Sequence, residues 1–121
     1  MKTNDLRIGN WVECLSEQRQ ILGITKHNGT NETARHYVEF KNIVPLKLLH
    51  IKPIPLTEEW LLKFGFGTII SKYYSIDCHF SISKGNKCWL FHIGNYVKSF
   101  KHVHQLQNLY HALTGEELKT N

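Results

Sequence analysis

The chain has 121 residues, 41% hydrophobic and 12% aromatic, with a formal net charge of +5. That is the composition of one folded domain, or of two small units sharing a core, and it excludes a disordered tail. No stretch approaches the ~20 apolar residues of a membrane helix. No apolar run of the kind a secretory signal carries follows Met1-Lys2-Thr3-Asn4-Asp5. Cys14, Cys78 and Cys88 are an odd number at unrelated spacings, which disfavours a disulfide framework and fits a reducing cytoplasm.

The charge is uneven. Residues 1–60 carry eight Lys/Arg and seven Asp/Glu, whereas residues 61–115 carry six lysines against Asp77 alone. A basic half suits an anionic partner, either nucleic acid or an acidic protein face. Dispersed lysines also simply solvate strand edges, and no run of adjacent basic residues occurs.

Residues 6–14 alternate, with Leu6, Ile8, Val12 and Cys14 on one side and Arg7, Trp11 and Glu13 on the other. That predicts a strand with a bulge at Gly9-Asn10. Arg19–Lys26 predicts a second strand and Asn28-Gly29 a turn. Arg35–Phe40 predicts a third strand and Ile43-Val44 a fourth. A tight turn at Pro45–Leu49 follows, and His50-Ile51-Lys52 closes the sheet. Five short strands without a helix suggest an SH3-like β barrel over residues 1–53.

Pro53 and Pro55 hold the next segment extended. Thr57 stands at an N-cap position, followed by Glu58 and Glu59 at the positive end of the helix dipole. Leu56 and Leu61 have staple spacing. Gly65 can take the left-handed conformation that lets Phe66 fold back on Leu61. Residues 54–66 are thus a short linking helix. It is too short to stand alone, so Trp60, Leu61 and Phe64 require a core to bury them.

Residues 67–121 predict an antiparallel meander packed by one helix. A strand at Thr68–Lys72 precedes a longer one at Tyr74–Ser83, whose Tyr74, Ile76, Cys78, Phe80 and Ile82 share a face. A turn centred on Gly85-Asn86 would pair Ser83 with Cys88, Ile82 with Trp89, Phe80 with Phe91 and His79 with His92. A turn at Gly94-Asn95 would pair Ile93 with Tyr96 and Trp89 with Phe100. Val103, Leu106, Leu109, Tyr110 and Leu113 fall on one arc of a helix over residues 102–114, which Thr114-Gly115 ends. The overall expectation is α+β, with these parts forming one compact domain.

Eight histidines invite a metal reading. The best candidate is His79 with His92, near Cys88 and Asp77. It lacks the three or four convergent ligands zinc requires, so no metal or other cofactor is expected. His104 and His111 share a helix face with Gln107 and Asn108. Neutral hydrogen-bonding groups there suit either a partner surface or a seam with the N-terminal unit, being cheap to desolvate. Glu58 and Glu59 are explained by capping. No Ser-His-acid spacing, phosphate loop or nucleophile elbow occurs, so no catalytic residue is assigned and an enzyme is not expected.

Three segments carry a resemblance. They are Asp5-Leu6-Arg7-Ile8-Gly9-Asn10-Trp11-Val12, the segment Ile54 to Phe66, and Val103-His104-Gln105-Leu106-Gln107-Asn108-Leu109-Tyr110 with Ala112 to Leu118. Together they resemble a family of small proteins of bacterial prophages and mobile elements. The resemblance leaves residues 15–50 and 67–101 unmatched and brings no agreed activity and no catalytic residues. It implies a mobile element inside a bacterial cell. By analogy it implies a protein that binds host machinery, as anti-CRISPR inhibitors of nuclease–RNA effectors do.

The expectation is therefore a non-enzymatic interaction protein whose partner is a host protein or ribonucleoprotein. Direct RNA or DNA binding is the alternative, and a metal-dependent enzyme a third. The candidate partner-binding residues are Lys84, Lys87, Lys98, Lys101, His104, Gln107, Asn108 and His111.

Overall fold

The computed structural model describes residues 6–26, 36–70, 73–75 and 81–120. It is an α+β fold of three small antiparallel sheets and two α-helices. β1 (Trp11–Cys14) and β2 (Glu17–Gln20) form a hairpin. β3 (Gly23–Lys26), β4 (His36–Glu39) and β5 (Leu46–Lys47) form a second sheet, followed by a 3₁₀ turn at Leu48–His50. Helix α1 (Glu58–Lys63) leads into β6 (Gly67–Ile70), β7 (Tyr73–Ser75), β8 (Ser81–Lys84), β9 (Trp89–Ile93) and β10 (Tyr96–Phe100). These five strands run in the order β10-β9-β8-β7-β6, and helix α2 (Val103–Thr114) closes the chain. Among the described residues no helix is long and apolar enough to cross a membrane.

In the N-terminal half no closed barrel is shown among the described residues. The expected strand Arg19–Lys26 is cut where the chain passes between sheets. Ile21 N–H donates to Asn10 O and Leu22 N–H to Glu39 O, so neighbouring residues serve different sheets. Lys52 joins β1 through one bridge to Glu13. Ile8, expected inside, is 61% exposed, because Gly9 (φ 98°) breaks the alternation on which that expectation rests. The expected strand at Ile43-Val44 is replaced by β5, after a turn in which Asn42 adopts φ 65°. Asn28-Gly29 lies outside the described residues.

The central helix forms as its residues dictate. Thr57 Oγ1 accepts from Trp60 N–H at 3.4 Å, with Glu58 and Glu59 in the first turn. At the other end Phe66 N–H donates to Leu61 O and Gly65 N–H to Leu62 O, both at 3.0 Å, with Gly65 at φ 90°. This paired pattern is a Schellman ending.

The meander has five strands, with β6 on the expected strand at Thr68–Lys72 and β7 at the start of the one expected at Tyr74–Ser83. The expected continuous strand Tyr74–Ser83 is not one element: β7 pairs antiparallel with β8, Tyr74 opposite Ile82. The second hairpin has the expected register, Ile93 opposite Tyr96 and Trp89 opposite Phe100. The first is displaced. Ser81 pairs with His92, Ile82 with Phe91, Ser83 with Leu90 and Lys84 with Trp89. Gly85 N–H donates to Cys88 O at 2.8 Å and Lys87 takes φ 61°, so the turn is centred on Asn86-Lys87. Moving a turn by one residue slides the pairing by two. Because side chains alternate with period 2, the apolar faces still coincide.

Two apolar cores result. Leu6, Val12, Cys14, Ile21, Val38, Phe40, Leu48 and Ile51 form the first. The second gathers α1, the meander and α2 around Trp60, Leu61, Phe64, Phe66, Ile82, Phe91 and Leu106, with Leu118 packed back onto it. β1 stands between them, with Val12 and Cys14 in the first and Trp11 against the second. α1 packs within the second core and meets β1 through Trp60 on Trp11. The buried residues of α2 are Val103, His104, Leu106, Gln107 and Tyr110, while Leu113 is 51% exposed. At 100° per residue the buried arc is turned roughly 60–70° from the expected apolar arc. The cause is that α2 packs on two partners at once, the sheet and the N-terminal hairpin.

Candidate partner-binding groove

The eight predicted residues fall into three settings. Gln107 and Asn108 face the protein's own N-terminal segment. Gln107 has no exposed surface. Its Oε1 accepts from Trp11 N–H at 2.8 Å and its Nε2 donates to Gly9 O at 3.0 Å. Asn108 Oδ1 accepts from Arg7 Nε at 2.8 Å and from Asn10 Nδ2 at 2.9 Å. Arg7 reaches on to Gln107 O and to the Glu117 carboxylate. Of the two readings of this helix face, the seam with the N-terminal unit is the one that occupies Gln107. Sequence reasoning did not single out Arg7, Asn10 and Glu117. The one available signal was a helix face of uncharged hydrogen-bonding groups, which asks for buried polar partners.

His111 sits at the edge of the same seam, half exposed, its Nε2 3.8 Å from Glu117 Oε1. Lys84 and Lys87 are exposed around the β8–β9 turn, with Lys84 Nζ 6.0 Å from the Trp89 ring centroid.

Lys98, His104 and Asn108 come together. They line an open groove of about 310 Å³ between β10 and α2, with Ser99, Phe100, Gln105, Leu109 and Ala112 completing its walls. Lys101 is exposed where β10 leads into α2. Its backbone N–H and that of His102 both donate to Gln105 Oε1, at 2.9 and 3.0 Å, which caps the helix start. The rings of His102 and His104 stack, centroids 5.8 Å apart at 10°. Partial burial holds the His102 imidazole below its ordinary pKa, against the pull of its Gln105 hydrogen bond and with help from Lys101.

β10 explains why the groove is open. It is the edge strand of its sheet, and Tyr96, Val97, Lys98 and Ser99 are all exposed, with Phe100 the first buried residue. Lys98 lies opposite Phe91, on the face that carries Phe100 into the core. A lysine on the core-facing side of an edge strand keeps α2 from closing down there.

The metal candidate is altered by the displaced register. The residue opposite His92 is Ser81 in place of His79, and His92 Nε2 lies 2.7 Å from Ser83 Oγ. Asp77, Cys78 and His79 lie outside the described residues. Among the described residues no group of three or more His, Cys, Asp or Glu could hold a metal ion. Cys14 is buried, which pushes its thiol pKa up despite nearby Arg19. That is the setting of an inert core thiol.

A second open hollow, of about 570 Å³, lies on the N-terminal unit against Trp11, Arg19, Leu22, Lys41 and Ile43. None of the predicted partner-binding residues lines it. No family model, no curated protein and no solved structure matches the chain.

Proposed function

We propose that this protein acts by binding a partner protein, not by catalysis, and that it does so through the groove between β10 and α2 with its basic rim. The observation that carries this reading is the convergence of Lys98, His104 and Asn108 on one open groove beside an exposed sheet edge. Apolar walls from Phe100, Leu109 and Ala112 offer burial, and Lys98 supplies a positive charge with no acid among the lining residues. Such a surface selects acidic partners and speeds their approach more than it adds affinity. The resemblance to proteins of prophages and mobile elements adds a setting: the partner is a host nuclease or ribonucleoprotein, such as a CRISPR effector, and binding inhibits it. An SH3-like character of the N-terminal unit belongs to the same proposal and would offer a second docking surface.

The six lysines of residues 61–115 favour one other reading, direct contact with RNA or DNA. Capture from host-cell extract, with and without ribonuclease, separates the two. A protein partner survives ribonuclease and modest salt. Direct nucleic-acid binding falls steeply with salt as counterions are released. Turning Lys84, Lys87, Lys98 and Lys101 to serine should leave the melting temperature nearly unchanged, since exposed substitutions usually cost within ~0.5 kcal/mol. It should slow association severalfold. Unchanged capture by that variant would move the interface to the N-terminal hollow.

A further inference from the structure

We infer that the exposed edge of β10 takes up an extended, carboxylate-bearing segment of the partner as an added antiparallel or parallel strand, with the partner's side chains seated in the groove against α2. This rests on the binding reading above and specifies its mode.

The backbone carries the argument first. In a two-residue hairpin the residues flanking the turn exchange both hydrogen bonds, and pairs then alternate between bonded and non-bonded. Ile93 and Tyr96 flank Gly94-Asn95, so Tyr96, Lys98 and Phe100 bond to β9. Val97 and Ser99 therefore direct their N–H and C=O groups away from the sheet. Among the described residues no hydrogen bond to these groups is formed. The next outward position is already used in this way. Lys101 O accepts from Leu56 N–H at 2.9 Å, Val103 N–H donates to Ile54 O at 2.9 Å, and Pro55 bridges His102 antiparallel. The protein's own extended segment thus lies along this edge until Thr57 turns it into α1. The remaining edge, residues 96–99, continues the same line in the open.

Charge then selects the occupant. An open edge invites indiscriminate pairing, and natural proteins blunt it with a lysine, often pointing inward. Lys98 occupies that place. It opposes a second copy of this strand, which would bring lysine towards lysine, and it opposes purely apolar strands by leaving an ammonium uncompensated. A segment with an aspartate or glutamate at the matching position meets neither objection. Its main chain would bond to Val97 and Ser99, its carboxylate would meet Lys98, and its neighbouring apolar side chains would rest on Phe100, Leu109 and Ala112.

Two blocked pentapeptides test this, each alternating valine and threonine around a central residue, glutamate in one and lysine in the other. Binding to the full chain is followed by backbone amide shifts. The glutamate peptide should shift the Val97 and Ser99 amides and slow their hydrogen exchange. The lysine peptide should bind roughly five- to tenfold more weakly. Lys98→Glu should invert that preference. Ser99→Pro removes one outward N–H from an edge position where proline is tolerated, so the sheet should persist while peptide binding is lost. Equal binding of the two peptides, shifts confined to β1–β5, self-association through β10, or full binding by Ser99→Pro each overturns the inference. A Ser99→Pro protein that still captures the host partner, while the four-lysine variant does not, sinks strand addition and leaves the binding reading standing. Capture by both sinks both.

Discussion

Gln107 shows how a residue that reads as surface becomes structural. Both ends of its amide are committed to backbone groups of Gly9 and Trp11, and it has no exposed surface. Gln107→Leu keeps the volume but strands the Trp11 N–H, while Gly9 O keeps its second donor, Gln20 Nε2, so it should cost about 1–3 kcal/mol. Glu117→Gln, by contrast, weakens an ion pair whose side chains are 28% and 38% exposed, and should cost less than ~1 kcal/mol. Urea denaturation of both variants checks the ranking, and equal losses would mean the seam is not held by its buried amide. A second prediction concerns pH. Burial lowers the His102 pKa in the folded chain below its unfolded value, opposed by the Gln105 hydrogen bond and helped by Lys101. Its contribution to stability is complete above the unfolded value near 6.5 and is lost as pH falls through the folded value. His102→Asn keeps a capping side chain and should flatten the decline in melting temperature between about pH 7 and pH 5. A decline as steep as wild type would assign the effect to another group.

At the scale of elements, α1 is six residues long, and what stabilises it is outside its own ladder. Thr57→Ala should cost about 1 kcal/mol through the lost cap, and Gly65→Ala a similar amount at φ 90°. Trp60→Ala should cost ~3–5 kcal/mol, because Trp60 is 4% exposed and packs on Trp11 and Phe64 at 5.4 and 5.6 Å between ring centroids. Thermal melts should place Trp60 well ahead of both helix ends. A Trp60 variant melting close to wild type would show that the second core closes without α1.

For the whole molecule, the question is whether two cores unfold as one. They are joined by Trp11 on Trp60 and by the Arg7, Asn10, Gln107 and Asn108 cluster. Wild-type unfolding should give coincident curves from tryptophan fluorescence, which reports the second core, and from exchange of the Val38 amide in the first. Combining Arg7→Ala with Gln107→Leu should separate them, with Val38 exchanging at lower denaturant. Curves that stay coincident would mean the cores are coupled through some other contact.

Local chemistry alone determined several features. The cap at Thr57, the stop at Gly65, the turn at Gly94-Asn95 and the end of α2 at Gly115 each depend on residues within a few positions of one another, so they are legible in one dimension. The choice of α+β followed from the same periodicities. Whatever depends on a second element was decided only in three dimensions. The first meander turn moved by one residue, leaving each side chain on its face but giving His92 a different opposite residue. The N-terminal strands divided between sheets because Ile21 and Leu22 found different partners. On α2, period alone located an apolar arc, but the arc that is buried includes His104 and Gln107, since a helix gripped from two sides buries polar residues wherever hydrogen-bonding partners await them. The groove follows from the same cause: α2 is drawn toward the N-terminal hairpin by Gln107 and Asn108, and Lys98 holds the edge of β10 open beside it.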